Sequence, residues 1–492
     1  MQTYKMLIDG QWVDAALGET FETRNPYTGD VWAAIPKGTK EDAERAVEAA
    51  HKAFTGGPWP KLTASDRGHL LRRLGDLIAE NAERLARIEV TDNGKLINEM
   101  LFQLKYIPQW YYYFGGLADK IEGAVIPIDK PETFNYTRNE PLGVCVGITP
   151  WNSPLLLLSY KLAPALAAGN TFVAKPSEFT SASTLEFAKL VEQAGFPPGV
   201  FNVVTGFGGD VGETLTTHKH VAKIAFTGSE GTGRKIGELA ARNFKKVTLE
   251  LGGKSPHIVF ADAEIDNAVN GVISGIFAAT GQTCIAGSRL LVESKILDQV
   301  LEKVIALAKT ARMGDPLSTS TQVGPVTTPP QLEKILGYID IAKGEGAECL
   351  LGGGRPSNPE LGKGWFVEPT IFAGVRNSMR IAQEEVFGPV LAVIPFDTEE
   401  EAIHIANDTN YGLAAGFWTQ DMRRMLRVSA AIQAGTVWVN TYRTISYMSP
   451  LGGYKHSGIG RENGMASIQN YLQTKSVMIS TAESVANPFI MR

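Results

Sequence analysis

The chain has 492 residues, of which 44% are hydrophobic and 20% charged, with 51 glycines. That is too long for one hydrophobic core and too apolar for a disordered chain, so at least two domains of an ordinary globular enzyme are expected. The net charge of −5, with Lys and Arg scattered among Asp and Glu, offers no basic face and excludes nucleic acid as a partner.

Met1 to Gly10 carries Lys5 and Asp9 and no apolar signal core. The most apolar run, "PLLLLSYKLAPALAAG", is broken by Lys161 and Pro164 well short of a bilayer span. A cytoplasmic protein without membrane contact is expected. Cys145, Cys284 and Cys349 are odd in number and too widely spaced for a CxxC or zinc pattern, which suits a reducing compartment and gives no metal site.

Residues 39–54, "TKEDAERAVEAAHKAF", set Ala43, Ala46, Val47, Ala50 and Phe54 on one helical face, with Thr39 and Asp42 spaced as a capping box. The run "RGHLLRRLGDLIAENAERLARIEV" repeats the pattern, so the first hundred residues are predicted mostly helical, packed over a sheet. From about residue 142 the strands "GVCVGITPW", "NTFVAKPS", "VFNVVTG", "VAKIAFTGS" and "KVTLELGG" alternate with helix-length segments. Such alternation predicts βαβ units, a parallel sheet covered on both faces, and a nucleotide site at the strands' carboxyl ends. A second alternation runs through "SPHIVF", "SRLLVE", "VLAVIPF", "LAAGFWT" and "GTVWVN" and predicts another α/β domain. Residues 122–141 and the tail after 466 belong to neither; they are β-prone and can pair with each other or with another subunit.

Of the thiols, Cys145 in "GVCVGI" reads as a core residue and Cys349 in "GAECLLGGG" as the edge of a turn. Cys284 in "FAATGQTCIAGSR" follows Gly281, Gln282 and Thr283, which allow close backbone approach with exposed N–H groups; alone, it is either structural or a nucleophile needing a lowered pKa or a nearby base. Glu250 ends a strand before Gly252 and Gly253, where a carboxylate can pair in a loop or move protons. Asn152 in "ITPWNSP" can cap the next helix or donate to an oxyanion, a contact whose loss costs about 10²–10³ in rate. In "IAFTGSEGTGRKIG", Gly228 and Ser229 make a turn, and Gly231 and Gly233 let a helix N-terminus approach a phosphate. "VTGFGGD" reads as a plain loop. Lys175 and Glu178 in "VAKPSE" are either a surface pair or ribose ligands.

With "PWNSP", "KPSE", "FTGS", "LELGGKSP", "GQTC" and "EEVFGPV" in that order, the chain resembles the NAD(P)-dependent aldehyde dehydrogenase superfamily along nearly its whole length. The resemblance implies an α/β, aldehyde dehydrogenase-like fold. A Rossmann-type NAD-binding domain (1–121 and 142–252) joins a second α/β catalytic domain (253–452), and a small β bridging region (122–141 and 466–492) builds homodimers or homotetramers. By motif position Cys284 is the nucleophile, Glu250 the general base, and Asn152 with the Cys284 N–H the oxyanion hole. Trp151, Lys175, Glu178, Gly228, Ser229, Glu385 and Phe387 contact the cofactor, with Lys175 and Glu178 on the adenosine ribose, Ser229 on the pyrophosphate, and Glu385 and Phe387 on the nicotinamide riboside.

A thioester hydrolysed by water that Glu250 activates gives a free acid; relatives that pass the acyl group to coenzyme A generally lack this glutamate. NAD is favoured over NADP because a carboxylate at Glu178 repels a 2′-phosphate. Tyr106, Trp110, Tyr160, Thr283, Ile285, Arg443, Ile445 and Leu451 line the implied substrate tunnel, which suits an aliphatic or aromatic aldehyde or a semialdehyde. Arg443 is either structurally paired or a ligand for a distal carboxylate. A cysteine hydrolase would need a histidine in a comparable glycine-rich site, and a non-catalytic relative would have lost Cys284, Glu250 or Asn152; neither condition is met.

Overall fold

The computed structural model describes residues 1–485 and 487–490. The strands Val144–Ile148, Thr171–Lys175, Phe201–Val203, Val221–Thr227 and Lys246–Glu250 run parallel in one sheet. Across the sheet, Lys246–Glu250 lies beside Val221–Thr227, then come Val144–Ile148, Thr171–Lys175 and Phe201–Val203. The chain therefore starts in the middle, winds outward to one edge, then returns and winds to the other. The reversal falls between Val144–Ile148 and Val221–Thr227, and the crevice at such a switch point is where doubly wound sheets bind nucleotides.

Alternate side chains of these strands enter two cores. Cys145 and Phe172 meet Leu155, Leu158 and Leu162 on one face, while Val144, Val146 and Val173 meet Ala43, Val47 and Ala50 on the other. Burial on both faces is why the strands read as unbroken apolar runs. The helix Lys40–Thr55 carries the Thr39/Asp42 capping box, the Asp42 carboxylate accepting from the Thr39 N–H at 2.9 Å. Ala43, Ala46, Val47 and Ala50 are fully buried; Phe54 is only half-buried.

The mostly helical beginning holds only from Lys40 onward. Met6–Ile8 and Gln11–Val13 form a hairpin that extends the sheet antiparallel through Leu7 and Val203. Between them Asp9 and Gly10 take φ of 53° and 71°, the Asp-Gly turn that two-residue hairpins favour. Gln2–Thr3, Thr20–Arg24 and Val31–Pro36 make a separate three-stranded sheet. Strands this short have no period that stands out from a helix, and tertiary pairing fixes them.

The second sheet orders Glu348–Leu351, Thr370–Ala373, Val390–Phe396, Arg289–Glu293, Pro256–Val259, Ala414–Trp418 and Thr436–Val439, with only the first antiparallel. Cys349, expected at a turn, lies on its edge strand. Thr133–Pro141 pairs antiparallel with Leu472–Ser480 along its full length, so these two segments pair with each other. No helix among the described residues is long and apolar enough to cross a membrane.

Candidate active site

The helix Ile265–Ile276 runs into a tight turn in which Ala279, Thr280 and Gly281 all take left-handed φ, at 53°, 55° and 68°. Such conformations cost on the order of 1–3 kcal/mol each for residues with a Cβ, so the surroundings must hold them. They do: Glu99 Oε1 accepts from the Ala279 N–H at 2.8 Å, and Thr280 Oγ1 donates to the Gly324 carbonyl at 3.0 Å. The Gln282 side-chain oxygen accepts from the Thr327 N–H at 2.9 Å. At Gly281 only glycine fits, because a Cβ would stand 2.0 Å from the Gly388 carbonyl oxygen.

This turn delivers Cys284, half-buried, with the N–H groups of Cys284 and Ile285 directed at its sulfur. The environment does not lower the thiol as a lone nucleophile requires. Burial, then the charges of Glu385 and Glu250, push it up to about 12, against the weaker effect of the two N–H groups. A sulfur so placed needs a base or a nearby positive charge to react as the thiolate.

Asn152 follows the strand Val144–Ile148 and is buried. Its Nδ2 donates to the Gln282 carbonyl at 2.9 Å, which ties it to the nucleophile turn and leaves its second amide hydrogen without a partner among the described residues. It is not the cap of the helix Pro154–Ala167, since its side chain points across to that turn. Sheet register sets Thr227 opposite Glu250 at the strand ends. Glu250 is 5% exposed and its Oε1 has no hydrogen-bond partner. Burial and the charge of Glu462 hold its carboxyl well above the usual range, opposed by Lys161 and Arg461.

Lys161 and Glu462 were not singled out from the sequence. Lys161 lies fully buried on the helix Pro154–Ala167, where its Nζ donates to Thr227 Oγ1 at 2.6 Å and to Glu462 Oε1. The signal existed: a lysine inside "PLLLLSYKLAPALA" must find a buried partner, because an unpaired buried ammonium is too costly. Glu462 sits in an irregular segment with no such signal.

A cleft of about 360 Å³ opens at the sheet's switch point. Trp151, Lys175, Glu178, Gly228 and Ser229 line it, and so do Gly208, Gly212, Glu213 and Thr216, from a segment read as a plain loop that in fact makes helical turns over 208–217. Burial holds the Lys175 ammonium below its usual range; it donates to the Pro176 carbonyl at 3.1 Å and lies 3.9 Å from Glu178 Oε2, so donors remain for a ligand. Ser229 caps the helix Glu230–Ala241, whose N-terminus faces the cleft as an anion site.

Glu385 Oε1 accepts from the Gly253 N–H at 3.0 Å, and a Cβ on Gly252 would meet Oε2 at 2.6 Å. Phe387, at φ 59°, packs edge-on against Trp151 with ring centroids 5.3 Å apart. Trp151 lines the cleft, while Phe387 lines a small void together with Thr283, the residue before Cys284. The donors, the glycine-lined walls and the anion site suit a dinucleotide.

Tyr106, Trp110 and Tyr160 pack in succession at 5.1 Å between neighbouring centroids. Trp110 Nε1 donates to Asn463 Oδ1 at 2.7 Å, so its polar edge is satisfied and its ring is free to pack. Tyr447, absent from the expected lining, packs on both Tyr106 and Trp110 at 5.9 and 5.8 Å. Leu451 belongs to this core; Ile445 packs against both it and the cluster of Ile285 and Cys284. Arg443, at φ 63°, donates from Nη1 to the Ser274 carbonyl at 3.1 Å.

Residues 12–477 match the aldehyde dehydrogenase family model. The chain is 46% identical to (Z)-2-((N-methylformamido)methylene)-5-hydroxybutyrolactone dehydrogenase of Acinetobacter baylyi, covering all of both chains, and 44% identical to betaine aldehyde dehydrogenase of Bacillus subtilis over 98% of this chain and 99% of that one. It superposes with a TM-score of 0.98 on the crystal structure of Staphylococcus aureus betaine aldehyde dehydrogenase in complex with NAD+, at 43% identity, covering 99% of this chain and 97% of the other. A match of this identity over the whole length leaves one conclusion, that the chain belongs to the aldehyde dehydrogenase family.

Proposed function

We propose that the protein oxidises an aldehyde to the free carboxylic acid with NAD, using Cys284 as nucleophile, Asn152 with the Cys284 N–H as oxyanion hole and Glu250 as general base. One convergence carries the reading: the Asn152 amide is tied to the carbonyl two residues before Cys284, and the Glu250 carboxylate is close enough to raise the thiol. The cofactor reading is supported by the cleft lining and by the solved relative in complex with NAD+. When bound, the oxidised dinucleotide supplies a hydride acceptor and a further positive charge.

With its proton passed to water, the Cys284 sulfur adds to the aldehyde carbon, and the oxygen that gains charge is held by Asn152 Nδ2 and the Cys284 N–H. Hydride loss from this adduct leaves a thioester on Cys284. Glu250 takes a proton from the water that attacks the thioester; Lys161 and Arg461 favour the carboxylate form that can do so, and Glu462 opposes it. Appearance of reduced nicotinamide absorbance with one carboxylic acid per turnover tests the whole; acyl transfer to coenzyme A in place of acid would contradict it.

Glu178 favours NAD, since its carboxylate accepts from ribose hydroxyls and repels a 2′-phosphate. Glu178→Gln is expected to raise kcat/KM for NADP relative to NAD by at least about tenfold, as removing a like charge at ~4 Å from a phosphate implies. An unchanged ratio would move cofactor choice elsewhere. The aromatic cluster of Tyr106, Trp110, Tyr160 and Tyr447 supports an aliphatic, aromatic or ring-derived aldehyde as substrate. Arg443→Ala should reduce kcat/KM for a semialdehyde acid and a neutral aldehyde by the same factor, because the guanidinium is already engaged by the Ser274 carbonyl; a selective loss with the acid would make Arg443 a carboxylate ligand. The two-stranded sheet of Thr133–Pro141 and Leu472–Ser480 exposes Phe134, Met478 and Ile479, which supports its role in a homodimer or homotetramer. Three free thiols suit a reducing, cytoplasmic setting.

A further inference from the structure

The two walls of the cofactor cleft are built differently. The helix Glu230–Ala241 makes the regular one: Ser229, Thr232, Ile236 and Leu239 fall three or four residues apart and line the cleft on successive turns. Facing it is the segment 208–217, in which a π-helical turn over Gly208–Gly212 runs into the short helix Glu213–Thr217. Such turns are rare and recur at functional sites. Gly208, Gly209 and Gly212 take no left-handed φ, and a Cβ on any of them would meet nothing within 4 Å. Neither backbone geometry nor packing calls for glycine there. What three glycines in one turn supply is a backbone that deforms easily.

Val211 and Leu215, one turn apart and fully buried, anchor this wall from below in the core shared with Ile236 and Ala240. On its outer side, the side-chain tie to the helix among the described residues is one ion pair. Lys235 Nζ donates to Glu213 Oε2 at 2.9 Å, and both residues line the cleft. That hydrogen bond holds the Glu213 carboxyl below its usual range. The two side chains are 61% and 48% exposed, and a pair so exposed adds little to the stability of a fold. Here, however, it fastens a deformable wall to a rigid one. With Ser229 at the pyrophosphate and Lys175 and Glu178 at the ribose, the part of the cleft that remains is Gly212, Ile236 and Leu239 beside the pair, an apolar slot for a flat base.

We infer that Lys235 and Glu213 form a clasp that keeps the 208–217 wall closed over the base end of the dinucleotide and sets how fast the cofactor leaves. The inference rests on the cofactor reading above and adds to it the pair that controls exchange.

Displacement of bound NADH by excess NAD in a stopped-flow mixer, followed by NADH fluorescence, gives the dissociation rate without any aldehyde. Lys235→Met and Glu213→Gln should each raise that rate by about two- to fivefold, the span open to an exposed ion pair. The two variants remove opposite charges, so a direct effect on the anionic cofactor would instead speed release without the lysine and slow it without the glutamate. The double variant should release NADH no faster than the faster of the single ones, because both lose the same contact. Exchanging the charges, Lys235→Glu with Glu213→Lys, should bring the rate back toward that of the parent. Unchanged rates, shifts in opposite directions, or single effects that multiply in the double variant would overturn the clasp and leave the dehydrogenase reading standing. Failure of the parent enzyme to bind NADH would overturn both.

Discussion

Cys284→Ala should lower kcat with any aldehyde by at least about 10⁴-fold, the scale on which loss of a covalent nucleophile is felt. The methyl group keeps the backbone N–H that serves the oxyanion but removes the atom that bonds to carbon, so hydride is never released. The fold should survive, because Cys284 only packs on the edge of the cluster of Ile285, Leu413, Trp438 and Tyr442. Cofactor affinity should survive too, since Lys175, Glu178 and Ser229 come from other elements. The remaining thiols cannot substitute. Cys145 is fully buried in the first sheet, where burial pushes it up to about 12, and Cys349 lies on the far edge strand of the second. Turnover within tenfold of the parent enzyme, measured as acid formed, would remove Cys284 from the chemistry.

Glu250→Gln separates the two halves of the reaction. Reduced cofactor should appear as a burst of one equivalent per active chain and then nearly stop, deacylation being slowed by about 10²–10⁴. Glutamine matches the shape of the carboxylate, whose Oε1 has no partner to lose, so packing is kept. The parent enzyme adds a pH signature. Burial and Glu462 raise the Glu250 carboxyl, which stays protonated and inactive over more of the acidic range than an ordinary glutamate. Deacylation should therefore rise with pH through that raised value and be lost as pH falls through it. Lys161→Met should shift the midpoint further to alkaline pH, because it deletes a charge that favours the carboxylate. A Glu250→Gln enzyme that turns over steadily would reassign the base.

What could be read from the chain was what local sequence encodes. Asn152 and Glu250 stand at the ends of apolar strands, Cys284 follows a glycine turn, and Ser229 caps a helix after a strand; each signal spans a few residues. The doubly wound sheet was legible for the same reason, since burial on both faces writes continuous apolar runs. What could not be read is set by contacts between distant segments. Lys161 meets Glu462 across 301 positions and Lys95 meets Ser153 across 58, and no local pattern announces either pair. The thiol's raised pKa arises likewise from burial first and then from Glu385 and Glu250, brought in from other strands and loops. The turns over Gly208–Thr217 and the Asp9–Gly10 hairpin lie between. Their glycines and the Asp-Gly pair were visible, but elements so short take their structure from what they pack against.

The central claim is that the substrate becomes covalently attached to one sulfur. Glu250→Gln enzyme mixed with NAD and an aldehyde, quenched in acid during the plateau and digested, should yield the peptide containing Cys284 heavier by one acyl group, in an amount equal to the reduced cofactor formed. Reduced cofactor and free acid appearing with that peptide unmodified, or the acyl group found on Cys145 or Cys349, would contradict the account.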